Sequence, residues 1–559
     1  MKRSVLYTLM MVMACAIAPA YAHPSVATSA TEQGNTYLES EKNVYFGTDA
    51  SERRVTVKTN QDFTVASNAK WCKVKKTSDA VSITVKANTK AADRTAKVSL
   101  KTKGGPSQVI KVCQHGTDAE KYPTFAVISD IHFGSKTGDG AMAKVSRTLK
   151  QLTAKGKLDA IIVCGDITDS GYEHQYDQLI QVFKNDSNYI NPVDTILFMM
   201  GNHDHIGGRG VNYPVKMRPF NNGNDYPHDQ YLVIKGYPFI TISVRSANNY
   251  DSNPSSDLSS YPHDLREKLE SWLERASKEC PGKPIFVFNH IPNKYTCYSS
   301  WPGEGSGSIS VWAMSTLNSI FNKYPQVVTF GGHSHYPLGD PRSIHQGVDP
   351  NGAEQNYFTG IGTGSINYSE IHGNTIDWHD PCHPNFYQYI TEGLIVDVKP
   401  KGNVEIRRYD TRIDEEIQPH NRWNLEPPFD GSKFAYADKR DERSNPLNKP
   451  YRDGLPAPVF DAKAKVIISY ADNTLKATFP QATDNDCVFR YKVSLVNDKG
   501  TAVRTQRIFS EFYKNSEQPD TFTVSFTDLD PAMKYTVEVE AYDSYDNVSE
   551  KLVSDTYVP

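Results

Sequence analysis

Three things are scarce in this sequence: long apolar runs, excess positive charge, and closely spaced cysteines. Beyond Val5 to Ile17 no segment is long and apolar enough to cross a bilayer, which excludes a polytopic membrane protein. Lys and Arg total 61 against 65 Asp and Glu, a formal charge of −4. A general nucleic-acid coat needs a positive footprint that this chain lacks. The cysteines beyond the first residues, Cys72, Cys113, Cys164, Cys280, Cys297, Cys382 and Cys487, are odd in number and contain no C-x-x-C pair. That spacing suits neither a dense disulfide frame nor a zinc finger. Most read as small buried hydrophobes, with a Cys72–Cys113 bridge inside one β module as the alternative. What is present is ordinary globular material: 559 residues, 38% apolar and 23% charged, which excludes a disordered polymer. At roughly 150 residues per domain the chain should hold three to four domains. The 32 tyrosines suit β-rich modules with half-buried faces.

The first 22 residues read as a signal peptide. Lys2 and Arg3 precede the apolar run, and Ala20-Tyr21-Ala22 has the small-x-small form of a cleavage site. The run is shorter than the roughly 20 residues of a membrane span. The expectation is export to the periplasm, cell surface or medium. A rival cut at Val12-Met13-Ala14-Cys15 loosely resembles a bacterial lipobox and would leave a lipid anchor on Cys15.

Residues 40–116 alternate at period two: Val55 and Val57, Phe63 and Val65, Val81, Ile83 and Val85, Val98 and Leu100. This predicts a sandwich of short antiparallel strands. Asn68 to Cys72, the Arg94-Thr95-Ala96 block and the terminal Val109 to Gln114 resemble the BACON domain, which implies an appendage of secreted gut-bacterial proteins with glycan contact or a spacer role. Residues 122–410 switch to a strand–loop–helix rhythm. Thr124 to Ser129, Ala160 to Cys164, Thr195 to Met200, Phe239 to Val244, Pro284 to Asn289 and Val327 to Phe330 are apolar runs followed by polar loops. Leu265, Leu269, Trp272, Leu273 and Ala276 form one helical stripe. Such alternation predicts sheets flanked by helices, with chemistry at strand ends. Residues 411–456 are charged, Pro-rich and aperiodic, and read as a surface connector. Residues 457–559 alternate again, and Leu529-Asp530-Pro531 before Tyr535 resembles the tyrosine corner of fibronectin type III domains. Their usual early Trp is missing and Phe479 stands in its place, so an immunoglobulin-like sandwich is the broader expectation.

Five blocks carry the chemistry, each just after a predicted strand: Asp130-Ile131-His132, Gly165-Asp166, Gly201-Asn202-His203-Asp204, His290, and Gly332-His333-Ser334-His335. Alone, D-x-H or G-D recurs by chance, and a His at a strand end is more often structural than a ligand. Five blocks in order are a different matter. Imidazole with carboxylate suits borderline divalent cations such as Zn, Mn or Fe. Two cations roughly 3.5–4 Å apart repel, and a shared carboxylate relieves this. Asp166 is the obvious bridge.

The pattern resembles the calcineurin-like metallophosphoesterase family. The resemblance implies an α/β central domain, a two-sheet β-sandwich flanked by helices, between two all-β immunoglobulin-like sandwiches. It also implies two divalent metals. Asp130, His132, Asp166 and His335 would hold the first, and Asp166, Asn202, His290 and His333 the second. His203 would face the substrate as a catalytic residue, with Asp204 orienting it. The residue three after Asp166 is Asp169, where purple acid phosphatases carry a Tyr ligand, so Tyr-ligated iron is not expected. Asp169 itself suits a helix N-cap. Gly165 to Gly171 and Trp272-Leu273 resemble the cyclic-nucleotide and glycerophosphodiester phosphodiesterase branch. Arg209, Tyr295 and Trp301, on loops rich in Gly, Tyr and Asn, are candidate substrate contacts.

The expected function is hydrolysis of phosphodiesters or phosphomonoesters. The nucleophile is a water that loses its proton between two cations, and His203 protonates the leaving alkoxide. The alternative is a glycan-binding surface protein with a non-catalytic phosphoesterase-like core. A nuclease is disfavoured by the acidic balance, which deepens by two charges once Lys2 and Arg3 are removed.

Overall fold

The computed structural model describes residues 37–40, 43–103, 105–247, 260–300, 313–348, 355–371, 383–436 and 456–558. The leader with Cys15, the candidate Trp301, Cys382 and the second half of the connector lie outside these residues.

The central region packs two sheets face to face. In the first, Thr124–Ile128, Ala160–Cys164 and Thr195–Met199 run parallel. On the other side of Thr124–Ile128 the antiparallel strands Glu392–Val398 and Val404–Asp410 complete the sheet's centre. The second sheet pairs Tyr237–Ile242, Ile285–Asn289, Val327–Gly331 and Gln355–Gly362 in parallel. Continuous apolar strands suit this architecture because both faces are covered. Between the sheets Phe125 meets Phe239, Phe286 and Phe288 with ring centroids 4.8, 4.9 and 5.9 Å away, all edge-on, the arrangement favoured by ring quadrupoles. Outside the first sheet lie helices Ala141–Ala154 and Glu173–Phe183; outside the second lies His263–Glu279. The predicted stripe of that last helix buries Leu265, Leu269, Leu273 and Ala276, while Trp272 packs on Tyr231 at its edge. Parallel strands deliver their C-terminal ends to one side of each sheet, and all five motif blocks sit at those ends.

The connector needs a correction. Its first half does not wrap the surface: Glu415–Ile417 and Trp423–Leu425 both pair with Val404–Asp410. Trp423, Leu425, Phe429 and Tyr436 are buried in the core between the sheets. Three-residue strands leave no periodicity to read, and the charges are neutralised locally, with Arg422 reaching Glu416 and Glu405.

The flanking regions are all-β. The N-terminal module stacks two four-stranded sheets over Val55, Val57, Val81, Ile83, Val98 and Ile110. Its two distinctive residues touch, the Arg94 guanidinium lying 4.3 Å above the Trp71 ring. Cys72 and Cys113 are both free thiols, so the alternative bridge is not formed. The C-terminal module stacks a three-stranded and a four-stranded sheet around Leu475, Phe479, Tyr491, Val537 and Val539. Tyr535 Oη accepts the Asp530 N–H at 3.0 Å, the corner contact expected from sequence. No helix among the described residues is long and apolar enough to cross a membrane.

Candidate metal centre

The strand tips bring the motif residues into two buried groups that share one carboxylate. Ligand atoms of Asp130, His132, Asp166 and His335 lie within 4.8 Å of one another, as do those of Asp166, His290 and His333. Asp166 Oδ2 faces His132 Nε2 at 3.7 Å, and its Oδ1 faces His290 Nε2 at 3.2 Å. Asn202 joins the second group, its Oδ1 3.0 Å from His290 Nε2.

The backbone is bent to achieve this. Asp130, His132, Asp166, His333 and His335 all have φ between 45° and 65°, a left-handed region that non-glycine residues enter at a cost of order 1–3 kcal/mol. Glycines that open three of the blocks, Gly165, Gly201 and Gly332, allow close approach. A Cβ on Gly165 would strike the His290 ring, and one on Gly201 would strike the Asp166 carboxylate. Hydrogen bonds then fix each donor. Asp130 accepts the His333 N–H at 3.0 Å and the Ser129 hydroxyl at 2.5 Å. His290 Nδ1 lies 2.9 Å from the Cys164 carbonyl, which can only accept, so Nδ1 carries the hydrogen and Nε2 turns its lone pair to the site.

That arrangement fits cations. Around His290 Nε2 the nearest atoms, Asp166 Oδ1 and Asn202 Oδ1, are both acceptors. His132 Nε2 and His335 Nε2 face each other at 3.2 Å, where one hydrogen at most can lie between them. Buried acceptors pointing at acceptors are costly unless positive charge sits among them. At His290 a proton can supply that charge. Burial alone would keep His290 neutral, but Asp166 outweighs it and raises its pKa to about 9. Burial, with His290 beside it, pushes His333 down to about 3. For Asp166 burial acts upward, yet the His290, His203 and His132 imidazoles outweigh it and hold the carboxyl well below its ordinary value. Asp130 behaves likewise against His335.

His203 stands beside the first group, its ring 4.5 Å from that of His132 and edge-on to it. The orienting contact expected from Asp204 is made instead by a carbonyl: His203 Nδ1 lies 2.9 Å from Asp169 O. The Asp204 carboxylate turns away and accepts the N–H groups of Ile167, Thr168 and Gly201 and the Thr168 hydroxyl. It pins the Asp166 loop to the Asn202 loop. Adjacent residues on a tight turn point in different directions, which adjacency in sequence does not reveal. Asp169 is likewise no N-cap, since helix Glu173–Phe183 is preceded by Tyr172. Its Oδ1 lies 3.6 Å from His132 Nδ1, and with His132 and His203 it forms a third group.

Of the candidate substrate contacts, Arg209 lies near the His203 loop, donating to the carbonyls of Ser170 and Ile206, with its guanidinium 3.8 Å over Tyr172. Tyr295 is half-buried, its N–H donating to Ser300 O. One wall of the site escaped the sequence reading. Tyr368 packs against His335 and His132 with centroids 4.3 and 5.5 Å away, and His383 stacks on Tyr387 behind it. The signal was a further strand tip: Gln355–Gly362 ends in a loop whose Asn367 N–H donates to Asp130 O.

Comparison with known proteins defines the class. Residues 123–337 match the family model of calcineurin-like phosphoesterases. The central region is thus a calcineurin-like phosphoesterase domain, of a family that uses divalent metals, and its buried His/Asp groups are compatible with a metal site. Residues 54–115 match BACON, described as a putative binding domain. Residues 461–551 match the ILCR1 Ig-like domain, which replaces the expected fibronectin type III assignment with another immunoglobulin-like family. No curated protein matches the chain. Among solved structures, a protein from Bacteroides thetaiotaomicron is 12% identical over 16% of this chain and 94% of that one, with a TM-score of 0.13. A putative alpha-galactosidase from Bacteroides fragilis is 8% identical over 92% and 98%, with a TM-score of 0.20.

Proposed function

We propose that this chain is an exported phosphoesterase that works with two divalent cations, Zn, Mn or Fe, and prefers phosphodiesters to monoesters. The observation that carries the reading is the Asp166 carboxylate, whose two oxygens face two different donor groups. Asp130, His132 and His335 complete the first group, and Asn202, His290 and His333 the second. When bound, such a pair of cations activates water as a nucleophile and offsets charge on the phosphoryl oxygens. The remaining work belongs to side chains. His203 presents Nε2 while its Nδ1–H is held by Asp169 O, and it protonates the leaving oxygen. Asp204 holds the loops that carry Asp166 and Asn202 in register. Arg209, beside the His203 loop, and Tyr368, packed on His335 and His132, contact the organic part of the ester, with Tyr295 and Trp301 as further candidates.

Diester preference is supported by the Gly165 to Gly171 turn, and export by the leader pattern of Lys2 to Ala22. Lipid attachment at Cys15 is the variant form of that reading. Glycan contact by the N-terminal module rests on its resemblance; Trp71 lies beneath Arg94, so the contact would fall elsewhere on that module. The test is metal analysis of the purified protein beside hydrolysis of bis-p-nitrophenyl phosphate and p-nitrophenyl phosphate. Two ions per chain with faster diester turnover is the expected result. Absence of both metal and turnover would instead favour a glycan-binding protein with an inert core.

A further inference from the structure

We propose that the C-terminal sandwich seats the metal-ligand loop Gly332 to His335, through a stack of rings and one guanidinium running from Tyr336 to Phe489. This rests on the reading of His333 and His335 as ligands. Tyr336 directly follows His335 and is buried; its ring lies 4.2 Å from that of Tyr298. The Arg342 guanidinium lies over the Tyr298 ring, 4.0 Å from its centroid. Phe489, from the C-terminal strand Val488–Asn497, closes the stack 4.8 Å from the same guanidinium. Hydrogen bonds lock it. The Tyr336 hydroxyl donates to Asp340 Oδ2 at 2.6 Å and accepts from Arg342 Nη2 at 3.1 Å. Arg342 also donates through Nε and Nη2 to Asp340 at 3.0 and 2.7 Å. A guanidinium between two rings gains most when water is excluded from its faces.

Two further ties run the same way. The His335 carbonyl accepts the Glu370 N–H at 2.9 Å, and the next residue, Ile371, is buried with Ile390, Cys487, Phe512 and Tyr513. Gln418 Nε2 lies 2.9 Å from both Gly339 O and Asp486 O, joining the segment that follows the ligand loop to the C-terminal module. The loop needs such support, because His333 and His335 hold φ of 65° and 50°. Strained backbone persists only where its surroundings over-determine it.

Phe489 and Arg342 are thus positioning residues, and metal affinity is the quantity they should move. The experiment titrates Zn²⁺ against a chelator in the full chain for wild type, Phe489→Ala, Phe489→Leu and a control, Val537→Ala. Val537 is buried in the core of the same sandwich. Phe489→Ala should weaken Zn²⁺ binding, to which the loop gives one ligand in each donor group, by about tenfold, the usual scale for groups behind a ligand. Phe489→Leu, which keeps the cluster apolar but removes the ring face over Arg342, should weaken it in the same direction. Val537→Ala should lower the melting temperature and leave both affinities at wild-type values. Wild-type affinity in both Phe489 variants, or equal weakening by Val537→Ala, would overturn the inference. If Phe489→Ala does not fold, the Leu variant decides. A wild type that binds no Zn²⁺ would instead sink the ligand reading itself.

Discussion

In the strands Thr124–Ile128 and Ala160–Cys164, the side chains from Phe125 to Ile128 and from Ala160 to Cys164 are buried and apolar. Two residues beyond each, at Asp130 and Asp166, the chain turns into left-handed backbone and buries a carboxylate. The middles stabilise: removing apolar surface from water yields about 25 cal/mol per Å². The tips cost stability, through strained φ and through charges taken out of water. A fold would not keep such tips for packing. Their geometry is intelligible once positive charge is placed among them, and the central domain therefore reads as a stable frame supporting a destabilised centre.

The largest effect that would test this contrast is at the shared carboxylate. Asp166→Asn should cut turnover of bis-p-nitrophenyl phosphate at least about a thousandfold and lower the metal content, because one amide cannot hold two cations as a carboxylate does. Its melting temperature without metal should change little beside that loss. Retention of both ions with wild-type turnover would break the comparison. His203→Ala comes next and separates binding from proton transfer. Both metals should remain, and turnover of an alkyl phosphodiester should fall about 10²–10⁴-fold, the usual reach of general acid catalysis. A p-nitrophenyl ester, whose leaving group needs no proton, should lose much less. Equal losses on both substrates would remove His203 from that role.

In the strand middles the expected effect is on stability alone. Phe286 lies between the sheets, edge-on to Phe125 at 4.9 Å. Phe286→Ala should cost about 3–5 kcal/mol by cavity formation, read in urea unfolding, while kcat of the folded fraction stays near wild type. A selective loss of kcat without destabilisation would mean that the middles also shape the centre.

The same division decides what could be read in the sequence. Strand middles are runs of Val, Ile and Phe, and the tips carry donor residues at short fixed offsets, so both survive translation into one dimension. Asp204 did not, because its partners Ile167, Thr168 and Gly201 come from two loops and only folding reveals them. Tyr368 did not, because an aromatic ring in a loop carries no ligand pattern. The strands Glu415–Ile417 and Trp423–Leu425 are too short for any period and take their stability from the sheet edge they join. The contact of Phe489 with Arg342 joins residues 147 positions apart in number, from two regions that each read as self-contained.

The smallest effect sharpens the contrast between carboxylates. Asp130 and Asp166 face imidazoles and are held below their ordinary values. Glu392, at the start of the fully buried strand Glu392–Val398, accepts the Leu338 N–H, 2.8 Å from its Oε2. Burial, with Asp410 nearby, raises it from 4.5 to about 8 despite that N–H and Arg408. Between those values the unfolded chain has released the proton that the folded chain still holds. Stability is therefore fully present below about pH 4.5, declines as pH rises, and levels off above about 8. The slope from this residue is at most about 1.4 kcal/mol per pH unit. Glu392→Gln carries no proton to lose, so its advantage over wild type should grow from pH 5 to pH 8 in paired urea titrations. A difference that stays constant across that range would mean that Glu392 ionises inside the fold. Its carboxylate would then have found a cationic partner, as the carboxylates at the strand tips do.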